Sequence, residues 1–240
     1  MIRGIYTAAS GMVVEIDRQN VIANNLANTD TIGFKNDNVV ATSFGQMLMK
    51  AYNRQGATPI GTMGLGVKTV MEFPDFSDGI ITNTNNQCDL AITGNALFAV
   101  LTPNGERYQR AGNFEVDRDG YLVTKNGHRV LGEQGEIRVE GPFQVGADGT
   151  IYQDGEEINR LMLVDSRNMI KDGEYLYNAP HGVRPATNFE IIQGALERSN
   201  VNAIQQMIEM IAVSRSYESS QKALIAHDET LGKAVNELAK

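Results

Sequence analysis

The chain opens with MIRGIYTAASGMVVEIDRQNVIANNLANTDTIGFK, residues 1–35, and closes with SNVNAIQQMIEMIAVSRSYESSQKALIAHDETLGKAVNELAK, residues 199–240. In the first stretch Ile2, Ala9, Ile16 and Ala23 form one column, and Ile5, Met12, Gln19 and Leu26 a second. The columns alternate by three and four, as apolar positions do along a helix seam, and only Gln19 is polar. Towards the other end Leu196, Ala203, Met210, Tyr217, Leu224, Leu231 and Leu238 recur every seven residues, each apolar or aromatic. Val201, Ile204, Ile208 and Ile211 widen that stripe. A seven-residue repeat of this length predicts a coiled-coil-type seam. The two helical ends are therefore expected to pack together, or on copies of themselves, and to hold the middle of the chain to one side.

The first helix is expected to run from Ile2 or Gly4 to Asn28. Gly4 and Gly11 weaken it by roughly 1 kcal/mol each relative to Ala. Asn20, Asn24, Asn25 and Asn28 crowd its end, followed by Gly33. Asn side chains compete for nearby backbone groups, so this run reads as a stop and a turn. Residues 36–72 lack a clear period. Phe44, Met47, Leu48, Met49 and Tyr52 suggest a short helix, and Gly56, Pro59, Gly61, Gly64 and Gly66 break any regular element, so an extended arm is expected. From 73 to 190 the chain reads as a β domain. Asp78-Gly79, Asn104-Gly105, Asp119-Gly120, Asn126-Gly127, Asp148-Gly149, Asp154-Gly155 and Asp172-Gly173 are hairpin turn signals between short β-prone runs. Gly112–Leu122 and Gly141–Ile151 echo each other as strand, Asp-Gly turn, strand. Two copies suit paired hairpins in a small barrel or sandwich. Residues 191–240 complete the plan as a C-terminal helix pairing with the N-terminal one. The fold class is α+β, a helical region built from both termini with a central all-β domain.

A net charge of −8 without a basic patch argues against nucleic acid and anionic membrane as partners. No apolar run approaches the roughly 18 residues needed to cross a bilayer, so no direct membrane insertion is expected. The N-terminus lacks an apolar signal region, and export by the general secretory route is not expected. Cys88 is the one cysteine, so neither an intramolecular disulfide nor a Cys-based metal site is available. His128, His181 and His227 have no ligand spacing. Asp117-Arg118-Asp119-Gly120 resembles the start of a calcium loop, yet the twelfth position would be Asn126 instead of the bidentate Glu, and the flanks are strands. Glu156-Glu157 read as solvated hairpin charges. No catalytic, cofactor or metal site emerges, and the chain is not expected to be an enzyme.

Several motifs carry a family resemblance. Tyr6-Thr7-Ala8-Ala9-Ser10-Gly11-Met12, Ile22-Ala23-Asn24-Asn25-Leu26-Ala27-Asn28-Thr29 and Gly33-Phe34-Lys35 resemble the N-terminal signature of the bacterial flagellar rod and hook family. Gly194–Val201, Met207–Ile211 and Arg215–Glu218 resemble its C-terminal signature. Asp89–Gly94 and Tyr108–Phe114 are similar to the central segment of its two longer rod members. The matches span nearly the whole chain in the family's order. Around Ser214 and in the tail 228–237, the sequence is nearer to the proximal than to the distal rod member.

The resemblance implies a structural subunit of the flagellar basal-body rod, outside the cytoplasmic membrane, that forms a helical tube and passes torque from motor to hook. It also implies self and other rod or hook proteins as partners, export through the flagellar type III apparatus, and no cofactor. The expected assembly seam comprises Ile2, Ile5, Met12, Ile16, Asn24, Asn25, Leu26, Asn28, Met210, Tyr217, Leu224, Leu231 and Leu238. The competing class is a β-domain ligand-binding module dimerised by its helical ends. What separates the two is where the specific residues lie, and here they lie on the seams and not in a polar cleft.

Overall fold

The computed structural model describes residues 2–238 except 54, 55, 65, 168, 174 and 181, with the backbone alone for 2–3, 46–53, 56–60, 63 and 238. Two helices, α1 (Ile2–Ala27) and α2 (Ala203–Leu238), bracket a chain of short strands. The residues sort into two compact units, neither continuous in sequence. One comprises 1–26, 37–72 and 203–240; the other comprises 27–36 and 73–202.

In the helical unit, four strands stand where the sequence suggested an irregular arm with a short helix. Asp37–Ser43 pairs with Val67–Pro74, and Gln46–Asn53 pairs antiparallel with Gly56–Gly64. The glycines that argued against regular structure sit at strand ends and at a register shift near Met49, where a ribbon tolerates them. The short helix is thus corrected to a strand. Thr58, Ile60, Thr62, Thr69 and Val70 supply the β-branched preference that helical spacing alone obscured. The ribbon is tied to α1: Ser10 Oγ accepts from the Val67 amide (3.3 Å), and Thr69 Oγ1 donates to Asp17 Oδ2 (2.6 Å).

The β unit centres on Ala96–Thr102, whose residues 96 to 100 are fully buried. A continuous apolar run is what a central strand covered on both faces requires. It pairs with Gly105–Gln109, Arg129–Gly132 and Leu163–Asp165 in a nine-stranded sheet. Leu90, Ile92, Phe98, Phe114, Leu122, Ile137 and Ile151 form the heart of the core, with Phe98 and Phe114 edge to face at 5.0 Å. The internal echo is a repeated turn. Gly120 N donates to Asp117 O and Gly149 N to Gly146 O, both at 2.9 Å, and each turn leads into an antiparallel hairpin. The Asp117–Gly120 stretch is therefore a hairpin turn.

Residues 191–202, expected to begin the C-terminal helix, are strand and loop in the β unit. Phe189–Gln193 pairs with Leu90–Gly94, and Ala195–Glu197 with Ile81–Asn83. Leu196, counted as the first member of the heptad column, is a buried strand residue. The seven-residue interval to Ala203 crosses from strand to helix and is coincidental.

Strand Ala195–Glu197 delivers a carboxylate into a buried ionic cluster. Glu197 Oε1 accepts from Lys35 Nζ and from the Gly79 amide, both at 2.7 Å, and its Oε2 accepts from Arg110 Nε. The side chains of Arg110, Lys35 and Glu197 are 0%, 1% and 2% exposed. Arg110 also donates to the carbonyls of Ile92, Gly94 and Ala96 and to half-exposed Asp78. Lys35 donates to Ser77 O (2.7 Å). Burial, and then the Arg110 charge, pull the Lys35 ammonium below its ordinary pKa, while Glu197 opposes them. Two cations and two carboxylates balance. Gly33 makes this junction possible: its φ is +66°, and a Cβ there would lie 2.4 Å from the Ala111 nitrogen.

A fragment of residues 73–190 ends inside strand Phe189–Gln193 and omits Ile191, Lys35 and Glu197. Relative to residues 27–202, it is expected to lose about 3–5 kcal/mol of stability. Urea melts of the two fragments followed by circular dichroism check this.

Candidate assembly interface

Within the helical unit, α1 and α2 touch along a defined antiparallel register. Gly4 lies against His227, Gly11 against Ser220, Glu15 against Ser216 and Asn25 against Gln206; as the number rises on α1 it falls equally on α2. The less exposed positions of α2 are Ala203, Gln206, Met210, Val213, Tyr217, Ser220, Leu224, His227, Leu231 and Ala234, with Ser214 beside them. Apart from Ser214 their spacing alternates three and four, as in a heptad seam. One of its two columns is apolar. The other, Gln206, Val213, Ser220, His227 and Ala234, is mostly polar or small.

Several of the contacts that α1 makes with α2 are small or polar. A Cβ on Gly4 would lie 2.6 Å from His227 Nε2, and one on Gly11 3.8 Å from Ser220 Oγ. Ser216 Oγ donates to Glu15 Oε1 (3.0 Å), and Gln19 Nε2 to Ser214 Oγ (3.4 Å). Polar pairs of this kind fix register at some cost in stability. Asn25 is the best enclosed of them, at 1% exposure. Its Nδ2 donates to Asp37 O (2.8 Å) and its Oδ1 accepts from the Asp37 amide (2.9 Å), so its side chain does for Asp37 what a neighbouring strand would do. The Nδ2 also reaches Gln206 Oε1 at 3.4 Å. One Asn of the Asn-rich run thus joins α1, α2 and the ribbon.

The residues expected on the seam fall into separate environments. Met210, Tyr217, Leu224 and Leu231 lie on the covered face of α2, and Ile5, Met12 and Leu26 are half-buried on α1. Asn28 lies beyond α1 and accepts from Thr31 through its own Oδ1 (3.1 Å). Asn24 is exposed to solvent on the helix surface, and Ile16 is 42% exposed. The side chains of Ile2 and Leu238 lie outside the described residues. Contacts with α2 run through Gly4, Gly11, Glu15, Gln19 and Asn25, of which Gln19 belongs to the second column and Asn25 to the expected seam. Sequence reading placed Asn25 on the seam and missed Gly4 and Glu15, because it searched for apolar periodicity. The signal available was two glycines seven residues apart on a helix, a spacing that lets another helix approach.

Large apolar side chains face outward instead. Ile204 is 72% exposed and Ile208 63%, and Met207 and Ile211 continue the stripe along α2. Tyr6, Val13 and Ile16 are exposed on α1. The helical unit buries Val14, Val21, Ile22 and Val213 and still leaves a largely β-branched stripe facing solvent.

No chemical centre competes with this surface. Among the described residues, no group of three or more His, Cys, Asp or Glu side chains could hold a metal ion, and no helix is long and apolar enough to cross a membrane. His181 lies outside the described residues. Burial, with Asp89 and Glu115 nearby, pushes the Cys88 thiol above its ordinary pKa, away from the reactive thiolate. A cleft of about 310 Å³ beside Asn25 is bounded by Arg18, Asp37, Gln206 and Glu209. It lacks the nucleophile and base pair that chemistry would need.

Terminal helices presenting apolar stripes, with a compact β unit between them in sequence, are the features of a subunit that packs against neighbours. Comparisons with known proteins give the family. Residues 5–35 match the model described as "Flagella basal body rod protein", 91–156 "Flagellar hook protein FlgE/F/G D1 domain", and 192–237 "Flagellar basal body rod FlgEFG protein C-terminal". The chain is 33% identical to flagellar basal-body rod protein FlgF of Caulobacter vibrioides, over all of this chain and 99% of the relative. It is 32% identical to flagellar basal-body rod protein FlgG of Bacillus subtilis, over 98% and 99% of the two chains. It is 31% identical to the hook-basal body complex protein FlhO of the same organism, over the full length of both. The chain belongs to the flagellar basal-body rod protein family. It is a structural component of the basal-body rod, and its family is not a family of enzymes.

The three matched regions supply one charged residue each to the buried cluster: Lys35, Arg110 and Glu197. Sequence reading missed the cluster because a lone charge in a motif reads as solvated. The available signal was a charge set among small and apolar residues in Gly33-Phe34-Lys35, Arg110-Ala111-Gly112 and Ala195-Leu196-Glu197.

Asn25→Ala removes two hydrogen bonds to the Asp37 backbone and is expected to destabilise the helical unit by about 1–3 kcal/mol. Gly11→Ala has room for its methyl and is expected to add up to about 1 kcal/mol. Urea melts of the full chain, followed at 222 nm, distinguish the two directions.

Proposed function

We propose that the outward apolar stripes of α1 and α2 are the contacts through which copies of this chain and other rod or hook proteins build a helical tube that passes torque from motor to hook. The observation that carries this reading is the apolar stripe that α1 and α2 leave exposed beside their buried residues. The intramolecular seam uses Gly4, Gly11, Ser216, Ser220, Asn25 and Gln206, while Ile204, Ile208, Ile211 and Val13 face water. Burying one such side chain is worth about 1.5–3 kcal/mol. A contact repeated around and along an axis multiplies that gain, and heterologous contacts of this kind generate open helical assemblies. The chain reaches its place through the flagellar type III apparatus, and its terminal helices gain their full order on assembly. Within the rod we place it in the proximal section, as the residues around Ser214 favour. Relatives named FlgF and FlgG stand at 33% and 32% identity, so overall likeness does not choose between them.

Swimming-plate assays and recovery of basal bodies from a strain lacking the native copy test the interface. Ile208→Asp places a carboxylate on an exposed position, so the isolated chain should keep its stability within about 0.5 kcal/mol. In an assembled contact the same carboxylate is buried without a partner at a cost of several kcal/mol, and swimming should stop. Leu224→Asp, on the covered face of α2, should weaken the isolated helical unit as well. Glu156→Ala, in an exposed hairpin, should swim normally. Normal swimming with Ile208→Asp incorporated into the rod rejects the proposed interface, and imaging of labelled basal bodies locates the section of rod occupied.

A further inference from the structure

The buried cluster has an asymmetry that stability alone does not explain. Arg110 faces two carboxylates of unlike character. Glu197 is almost fully buried, whereas the Asp78 side chain is 49% exposed. Arg110 is also anchored to the sheet by three carbonyls, those of Ile92, Gly94 and Ala96. Glu197 is carried by a three-residue strand that pairs only with Ile81–Asn83, in a sheet of two strands.

The segments that lead into and out of the β unit are bonded to each other. Gly33 N donates to Glu197 O (2.8 Å), Asn36 N to Asn200 Oδ1 (2.8 Å), and Arg198 pairs with Asp30. Lys35 reaches Glu197 across 162 positions of sequence. Residues 30–36 and 195–200 thus form one strap, and Glu197 fastens it to Arg110.

We propose that Glu197 is an ionic latch: the strap leaves and rejoins the sheet core as one unit, and Asp78 holds the Arg110 charge while Glu197 is away. When the latch opens, Lys35 and Glu197 move into water together, so neither is left buried and unpaired. Arg110 stays on its three carbonyls with the Asp78 carboxylate beside it. The segment after α1 and the segment before α2 both belong to this strap, so the latch sets whether those two segments are held at one point or released; the chain's crossing at 72–73 lies outside it. Glu197 and Asp78 are positioning residues in this device. The inference rests on the β unit's own geometry and does not depend on the proposed tube contacts.

Amide hydrogen exchange of the purified full-length protein tests it. Glu197→Gln removes the latch charge. Exchange in 30–36 and 195–198 is expected to accelerate about 100-fold or more, while Ala96–Val100 changes less than about threefold. An equal acceleration in both regions, or none in either, overturns the proposal. Asp78→Asn gives a second and opposite reading. It removes the only counter-charge of the open state but one of two in the closed state. The strap should therefore exchange at least about threefold more slowly, although the sheet core exchanges faster. A merely structural Asp78 predicts faster exchange everywhere, and that result also overturns the latch. If Glu197→Gln does not yield folded protein, the strap and the core are not separable, and the proposal fails.

Discussion

The β unit depends on one burial event, the placing of the Glu197 carboxylate between Lys35 and Arg110. Bare charges in a protein interior cost several kcal/mol each, so the cluster is tolerable only when all its members arrive together. They come from three distant parts of the chain, at 35, 110 and 197, and meet where Gly33 passes against the Ala111 backbone. The demand for simultaneous pairing ties the turn after α1 and the strand before α2 to the same sheet. It also gives a physical reason for a charged residue to stand in each of the three family-matched regions.

The helical unit follows a different logic. Polar and glycine contacts between α1 and α2 fix its register, and Val14, Val21, Ile22 and Val213 are buried in the unit. Asn25 supplies the geometric pin, satisfying both backbone groups of Asp37 and reaching Gln206. Ile204, Ile208, Ile211 and Val13 nevertheless remain on the outside. A helix pair of this construction is specific in alignment yet modest in intramolecular stability. That combination suits a part whose principal packing is with neighbours, because surface left exposed in the free chain becomes driving force in an assembly.

Much of the architecture was legible in the sequence, and the reasons are local. Helix periodicity at both ends, the Asn-rich stop after Leu26 and the Asp-Gly turns at 119–120 and 148–149 each depend on neighbouring residues, so each could be read without knowing the fold. The ribbon at 37–74 was not legible, because its glycines mark strand ends and a register shift that exist only once two strands pair. Leu196 was misplaced because a heptad interval is blind to a change from strand to helix. The matches to the rod family carried function, where composition and spacing could only exclude alternatives.

The sequence by itself determined the helical ends, the hairpin-rich middle and the family, since these rest on periodicity, turn chemistry and motif order within short windows. Only the tertiary structure decided which face of α1 meets α2, and that Lys35, Arg110 and Glu197 share one buried site. Both outcomes turn on contacts between residues far apart in the chain. There the close approach allowed by glycine and the mutual neutralisation of charges outweigh the local preferences of each residue for an apolar seam or for water.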